Sequence, residues 1–334
     1  MNIAIIGCGL IGRKRALILS KTPGYYLRVA VDTNKSLAQN ITSEFGGTAE
    51  TDWQKVVSRE DVAIVIVSTI NKFLAPISIA ALKNKKHVLC EKPLGRNIRE
   101  SQAILDAAKK NKVILKTGFN HRHHPAILKA RELINKGEIG KVCFLRCRYG
   151  HGGRPGYEKE WRADKVLSGG GELLDQGVHV VDLFRWFAGD FNEAFGYIST
   201  YFWDMSVEDN AFAIFRNKKG ITATMHTSWT QWKNLFSFEI FGKGGYLIVE
   251  GLGGSYGKET LRIGKRQPIG GAPQEEIIEF NGEDISWEKE WQEFVSAIEN
   301  NKQPLGNGWD GYQANKMLAA VYKSASVHKV VKIK

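Results

Sequence analysis

The chain has 334 residues, enough for roughly two domains at about 150 residues each and long enough to bury a sizeable core. Hydrophobic residues make up 43% and charged residues 25%, which excludes disordered, collagen-like and disulfide-scaffold chains. Lys and Arg number 47 against 35 Asp and Glu, a net charge of +12 that suits anionic ligands, while no basic block points to nucleic acid.

The strongest apolar run, Val62 to Ile70, falls far short of the roughly 18 residues of a membrane span, and the amino terminus has no signal-peptide pattern. A cytoplasmic protein without a membrane partner is expected. Cys8, Cys90, Cys143 and Cys147 form no C-x-x-C pair, so reduced thiols and no metal site are expected. His121, His123 and His124 have metal-ligating chemistry, but the reading keeps them as loop residues.

Short β-branched runs alternate with amphipathic stretches through the first 120 residues. Strands are predicted at Ile3–Ile6, Leu27–Val31, Val62–Val67, His87–Cys90 and Val113–Thr117. Helices at Arg13–Ser20, Lys35–Phe45, Leu74–Asn84 and Ile98–Asn111 supply the crossovers that parallel strands require. This is an α/β Rossmann-like domain with a doubly wound parallel sheet, assigned to residues 1–120.

The pattern changes after Pro125. A helix at Ala126–Asn135 precedes strand-like runs at Val142–Tyr149, Ala194–Phe202, Asn210–Phe215, Thr222–Trp229, Phe236–Phe241 and Tyr246–Val249. Most are joined by turns, so residues 121–334 are predicted to form an α+β domain on a largely antiparallel open sheet. Late helices at Trp287–Glu299 and Gly311–Ser324 follow, at least one of them expected to pack on the first domain. A free aromatic-rich sheet face makes a homo-oligomer, dimer or tetramer, the default.

Gly7-Cys8-Gly9-Leu10-Ile11-Gly12 fits G-x-G-x-x-G directly after a strand. The first glycine permits a tight turn, the second lets backbone approach pyrophosphate, and the third permits close helix packing. Asp32 ends the next strand, where its carboxylate can accept from an adenosine ribose and repel a 2′-phosphate, which favours NAD over NADP. The bland alternative is a glycine turn beside a surface Asp.

Cys90-Glu91-Lys92-Pro93-Leu94 lies at the carboxyl end of a late Rossmann strand, where ligands bind. Further on, Gly169-Gly170-Gly171-Glu172-Leu173-Leu174-Asp175-Gln176-Gly177-Val178-His179 continues to Asp182 and Trp186. If helical from Glu172, this segment sets Asp175 and His179 on one face, with Asp182 a turn beyond. The two side chains then either converge on a ligand or simply bond each other.

With these motifs in order, the chain resembles the Gfo/Idh/MocA family of nicotinamide-dependent sugar and polyol oxidoreductases over nearly its whole length. Glu91-Lys92-Pro93 and Gly169 to Trp186 carry the resemblance most specifically. Gly118-Phe119-Asn120-His121-Arg122 and Phe241-Gly242-Lys243-Gly244-Gly245 add weaker signatures. The resemblance implies Lys92, Asp175 and His179 as the catalytic set. Gly7, Gly9, Leu10, Ile11, Gly12 and Asp32, joined by Glu91 and Lys92, form the expected cofactor site.

The loop before the catalytic segment intersperses Arg154, Lys159, Arg162 and Lys165 with Tyr157 and Trp161. Guanidinium forks suit phosphate and aromatic faces suit sugar rings or a nucleobase. The expected substrate is therefore an anionic sugar, held by Arg122, Arg154, Tyr157, Trp161 and Arg162 beside Asp175 and His179; among the activities the resemblance implies, oxidation of a nucleotide-linked hexose at C3 leads. In the competing reading the loop charges pair with Glu158, Glu160 and Asp164. The alternatives are an inositol, free-sugar or glycoside dehydrogenase and a non-catalytic dinucleotide sensor.

Overall fold

Alternation along β1 (Asn2–Ile6) organises the first half of the computed structural model, which describes residues 1–334. Ile3 and Ile5 point to one face, in a core with Leu19, Ala38, Trp291 and Phe294; Ala4 and Ile6 point to the other, among Leu74, Ile77 and Ile104. A sheet buried on both faces needs apolar residues at every position, and each Val, Leu or Ile so buried contributes about 1.5–3 kcal/mol.

The elements run β1, α1 (Leu10–Ser20), β2 (Tyr26–Val31), α2 (Lys35–Phe45), β3 (Thr48–Glu50), α3 (Trp53–Val57), β4 (Ile64–Val67), α4 (Asn71–Lys83), β5 (His87–Glu91), α5 (Ile98–Asn111) and β6 (Leu115–Gly118). The strands form one parallel sheet in the order β3-β2-β1-β4-β5-β6. Asn34, Asp52 and Asn97 cap α2, α3 and α5 through side-chain oxygens, so polar residues fix where these helices begin. Strand order reverses between β1 and β4, which opens a ligand crevice at the carboxyl ends of those strands.

The second half runs α6 (Pro125–Asn135), β7 (Val142–Gly150), α7 (Lys165–Ser168), α8 (Glu172–Asp175), α9 (Gly177–Ala188), β8 (Glu193–Ser199), β9 (Asn210–Arg216), β10 (Thr222–Ser228), β11 (Leu235–Gly242), β12 (Gly245–Glu250), β13 (Glu259–Lys265), β14 (Gln274–Phe280), α10 (Ser286–Glu299), α11 (Gly308–Val327) and β15 (Val331–Lys332). Nine strands form a sheet in the order β14-β13-β12-β11-β7-β10-β9-β8-β15, antiparallel except where β7 meets β10. Leu145, Cys147 and Tyr149 of β7 are buried, while Phe144 and Arg146 alternate with them on the open face.

The chain divides into two units: Met1–Phe119 with Val166–Gly169 and Trp287–Asn315, and Asn120–Lys165 with Gly170–Ser286 and Lys316–Lys334. No helix is long and apolar enough to cross a membrane.

Three departures from the sequence reading have physical causes. The strand predicted to reach Phe202 stops at Ser199, because the Asp209 carboxylate accepts from the backbone N–H groups of Tyr201, Phe202 and Trp203 and pulls them out of the ladder. β3, β13, β14 and β15 were not foreseen: β3 and β15 are too short for periodicity, and β14 is a largely exposed, Glu-rich edge. The helix expected from Glu172 onward is interrupted at Gln176, leaving α8 and α9 as separate pieces.

Candidate active site

In the first unit, the turn after β1 is built by close approach. A Cβ on Gly7, whose φ is +99°, would lie 2.5 Å from the Ser68 carbonyl oxygen. One on Gly12 would lie 1.9 Å from that of Gly7. The Ser68 hydroxyl also donates to the Gly7 carbonyl at 2.8 Å, tying the loops beyond β1 and β4 together at the switch point. A Cβ on Gly9, by contrast, meets nothing within 4 Å.

Gly9 is the N-cap of α1 without a side-chain cap, the first turn holds no acidic residue, and Leu10 is 85% exposed. Amide N–H groups at such a terminus suit a pyrophosphate, so these residues fit a dinucleotide. Asp32 follows β2, its Oδ2 accepting from Cys8 N–H at 2.8 Å and its Oδ1 from Asn34 N–H at 2.9 Å. The glycine loop itself therefore aims this carboxylate. Burial, followed by the charge of Asp32, pushes the Cys8 thiol up to about 12.

Glu91, expected at the cofactor, is instead buried in a charge cluster. Its Oε1 accepts from Arg15 Nε at 2.9 Å and Nη2 at 2.5 Å, and Arg15 Nη2 lies 2.7 Å from Oε2 of Glu290. The correction follows from burial, since a guanidinium 1% exposed requires carboxylate partners. Lys92 comes next, half-buried between buried Glu91 and buried Pro93, with a cis bond to the proline. Beyond it, Asn315 Nδ2 donates to the carbonyls of Leu94 and Gly95 at 3.1 Å each, and Arg96 pairs with Glu100 at 2.6 Å. The backbone that carries Lys92 is therefore pinned on both sides.

In the second unit, His179 is buried on the first turn of α9 and its ring stacks on that of His121, centroids 3.8 Å apart and planes 20° from parallel. His121 sits in the one-turn helix Asn120–His123, with Nε2 3.1 Å from the Tyr149 hydroxyl. His124 is paired with Glu259 at 3.1 Å. Arg122 is not a pocket cation: it is 2% exposed, held by both oxygens of Asp182 at 2.7 and 2.6 Å, and its guanidinium lies 5.4 Å from the Trp186 ring. A bidentate pair of this kind fixes α9 against the turn that carries His121.

The cationic loop also differs from its expected role. Arg154 pairs with Glu160 at 2.6 Å, and Arg162 lies between Glu160 at 3.5 Å and Asp175 at 3.4 Å. The competing reading, internal pairing with loop acids, describes these charges. Tyr157 is 2% exposed and packs on Trp229 and Trp203, a core residue and not an open stacking platform. Trp161 is half-buried with the Arg162 guanidinium 4.5 Å over its ring. Asp175 ends α8 and retains 17% side-chain exposure.

Sequence reasoning missed Tyr149, Tyr256 and the side chain of Gln176. The Tyr149 and Tyr256 rings lie 5.5 Å apart, and Gln176 Nε2 donates to the Tyr256 hydroxyl at 3.2 Å. Alternation in β7 places Tyr149 inward, but Tyr256 lies in a glycine-flanked turn that carries no periodic signal.

Two family profiles match the chain: an oxidoreductase family with an NAD-binding Rossmann fold over residues 1–119, and the GFO/IDH/MocA C-terminal domain over residues 127–248. Levoglucosan dehydrogenase of Pseudarthrobacter phenanthrenivorans is 32% identical over 212 residues, 60% of this chain and 54% of that enzyme. Myo-inositol 2-dehydrogenase of Thermotoga maritima is 25% identical over 343 residues, 100% of this chain and 98% of that enzyme. A structure of levoglucosan dehydrogenase in complex with NADH shares the fold with a TM-score of 0.92 at 24% identity, covering 100% of this chain and 99% of that one.

Proposed function

The chain belongs to the Gfo/Idh/MocA family of NAD(P)-dependent oxidoreductases acting on CH–OH groups, and from that premise we propose that its substrate is an uncharged free sugar, anhydrosugar or cyclic polyol. The observation that carries this reading is the internal pairing of Arg154 with Glu160 and of Arg162 with Glu160 and Asp175. A guanidinium whose charge is partly balanced by a neighbouring carboxylate attracts a diphosphate less strongly than a free one. That weighs against the nucleotide-linked hexose, as do relatives named for levoglucosan and myo-inositol.

Asp32 supports NAD over NADP, its two oxygens oriented by Cys8 and Asn34 N–H groups toward the place of a ribose diol. NAD supplies the hydride acceptor when bound. His179 takes the hydroxyl proton on oxidation and returns one on reduction, an imidazole being the side chain that titrates near neutrality. Lys92 stabilises the developing alkoxide, and its pinned backbone keeps the ammonium preorganised for that role. Asp175 orients the substrate, with Arg162 3.4 Å from its carboxylate.

The open face of the nine-stranded sheet carries partly exposed Phe144, Tyr197, Phe212 and Ile214, which supports self-association as a dimer or tetramer. NADH formation across levoglucosan, free hexoses, inositols and nucleotide sugars tests the substrate reading. Turnover is expected on at least one uncharged member, unaffected by Arg154→Ala. Activity confined to nucleotide sugars, with KM raised by that substitution, overturns it.

A further inference from the structure

The break between α8 and α9 leaves one residue whose chemistry the proton transfer does not use. Gln176 is 6% exposed; its Nε2 donates to Tyr256, and its Oε1 is buried without a hydrogen-bond partner. A buried amide oxygen left unmatched costs free energy unless a ligand or water supplies a donor.

The neighbouring polar groups run in a chain. His121 Nε2 lies 3.1 Å from the Tyr149 hydroxyl, the Tyr149 and Tyr256 rings lie 5.5 Å apart, and the Tyr256 oxygen accepts from Gln176 Nε2 at 3.2 Å. Because the Tyr256 oxygen accepts from Gln176, its own hydrogen is left to donate elsewhere. Burial pushes Tyr256 up to about 12, so that hydrogen is retained throughout the neutral range.

The chain therefore presents one unpartnered acceptor, Gln176 Oε1, beside one hydroxyl donor, the Tyr256 O–H. A neutral hydroxyl, being both donor and acceptor, satisfies the two together. His121, at the other end of the chain, stacks on His179, and the His179 backbone N–H donates to the Gln176 carbonyl at 3.0 Å. Gln176 is thus built into the same turn of chain as the proton-transferring imidazole.

We infer that Gln176 and Tyr256 form a specificity pair that holds a second hydroxyl of the substrate, distinct from the one oxidised. The inference rests on the uncharged-polyol reading and adds to it a requirement for at least two hydroxyls. Both residues act by direct contact. Losing either should weaken ground and transition states alike and appear in KM more than in kcat.

The test compares wild type, Gln176→Leu and Tyr256→Phe on whichever of levoglucosan, D-glucose and myo-inositol the wild type oxidises fastest, and on its monodeoxy analogues. One analogue should lose about tenfold in wild-type kcat/KM, the order of one uncharged hydrogen bond, and that penalty should vanish in Gln176→Leu. On the parent substrate both variants should raise KM about tenfold, leave kcat within about threefold and keep the wild-type pH profile. Unchanged KM and unchanged deoxy discrimination overturn the inference. So does an altered pH profile with discrimination intact, because that marks a prop for His121. Wild-type inactivity on all three substrates, with activity on nucleotide sugars, instead removes the substrate reading and this inference with it.

Discussion

Arg15→Met would remove the only guanidinium between two buried carboxylates. Arg15 lies 2.5 Å from Glu91 and 2.7 Å from Glu290, with side-chain exposures of 1%, 9% and 0% for the three residues. Breaking a buried pair by deleting one partner costs about 3–5 kcal/mol. Both carboxylates lose their guanidinium while Lys116 still attracts Glu290, which keeps the cost within that range, and Met keeps the apolar stem packed. For a unit of this size the unfolding midpoint should fall by about 10 °C or more.

The pH dependence has a definite sign. Burial already raises the Glu290 carboxyl, while Arg15 opposes the rise, so deleting Arg15 raises it further. A carboxyl whose pKa is higher folded than unfolded leaves the native state holding more protons above the ordinary carboxylate range, and stability then falls as pH climbs through that window. The penalty should therefore shrink as pH drops from about 8 to about 5, and adding Glu290→Gln should restore part of it at neutrality. Urea denaturation at several pH values, followed through the first unit's tryptophans, reads both effects. A variant within about 1 kcal/mol of wild type at neutral pH, or a penalty flat across that range, would refute the reasoning.

The glycine loop offers a contrast between two single methyl groups. Gly12→Ala should lower stability by about 2 kcal/mol or more and weaken NADH binding, because its Cβ would meet the Gly7 carbonyl at 1.9 Å. Gly9→Ala should leave the melting temperature nearly unchanged and weaken NADH binding about tenfold, since its Cβ fills only the open space at the α1 N-terminus; fluorescence titration beside calorimetry separates the two. Asp32→Ala should narrow the preference for NAD over NADP, checked by the ratio of the two kcat/KM values. Lys92→Ala and His179→Ala should each lower turnover by about 10² or more with NADH affinity kept, and near-normal rates in both would remove the catalytic assignment.

What the sequence reveals about this protein depends on how far apart the interacting partners lie. The run Ile64–Val67 reads as a doubly covered strand because both neighbours of the sheet demand apolar residues at consecutive positions. The G-x-G-x-x-G turn reads as a cofactor cradle because its constraints act within a dozen residues. Arg15 and Glu91 are 76 residues apart, and nothing local distinguishes a helix arginine destined for burial from one left in water. Local charge counting likewise overvalued Arg154 and Arg162, since composition records how many cations a loop carries but not whether its own Glu160 holds them.

The same reasoning separates the two kinds of site residue. Lys92, Asp175 and His179 stand in short motifs that the family resemblance, more than their residue types alone, marks for proton transfer and charge stabilisation. Gln176 stands between two of them and announces nothing, because an amide's significance depends on what satisfies it. Only with Tyr256 placed on its nitrogen, across a separation of 80 residues, does the buried oxygen become a feature requiring a donor. Residues proposed to perform the chemistry can thus be named from a motif. Those that choose the substrate are defined by hydrogen bonds left incomplete in the folded chain, and Gln176→Leu is the substitution that tells a recognition group from an unmatched atom.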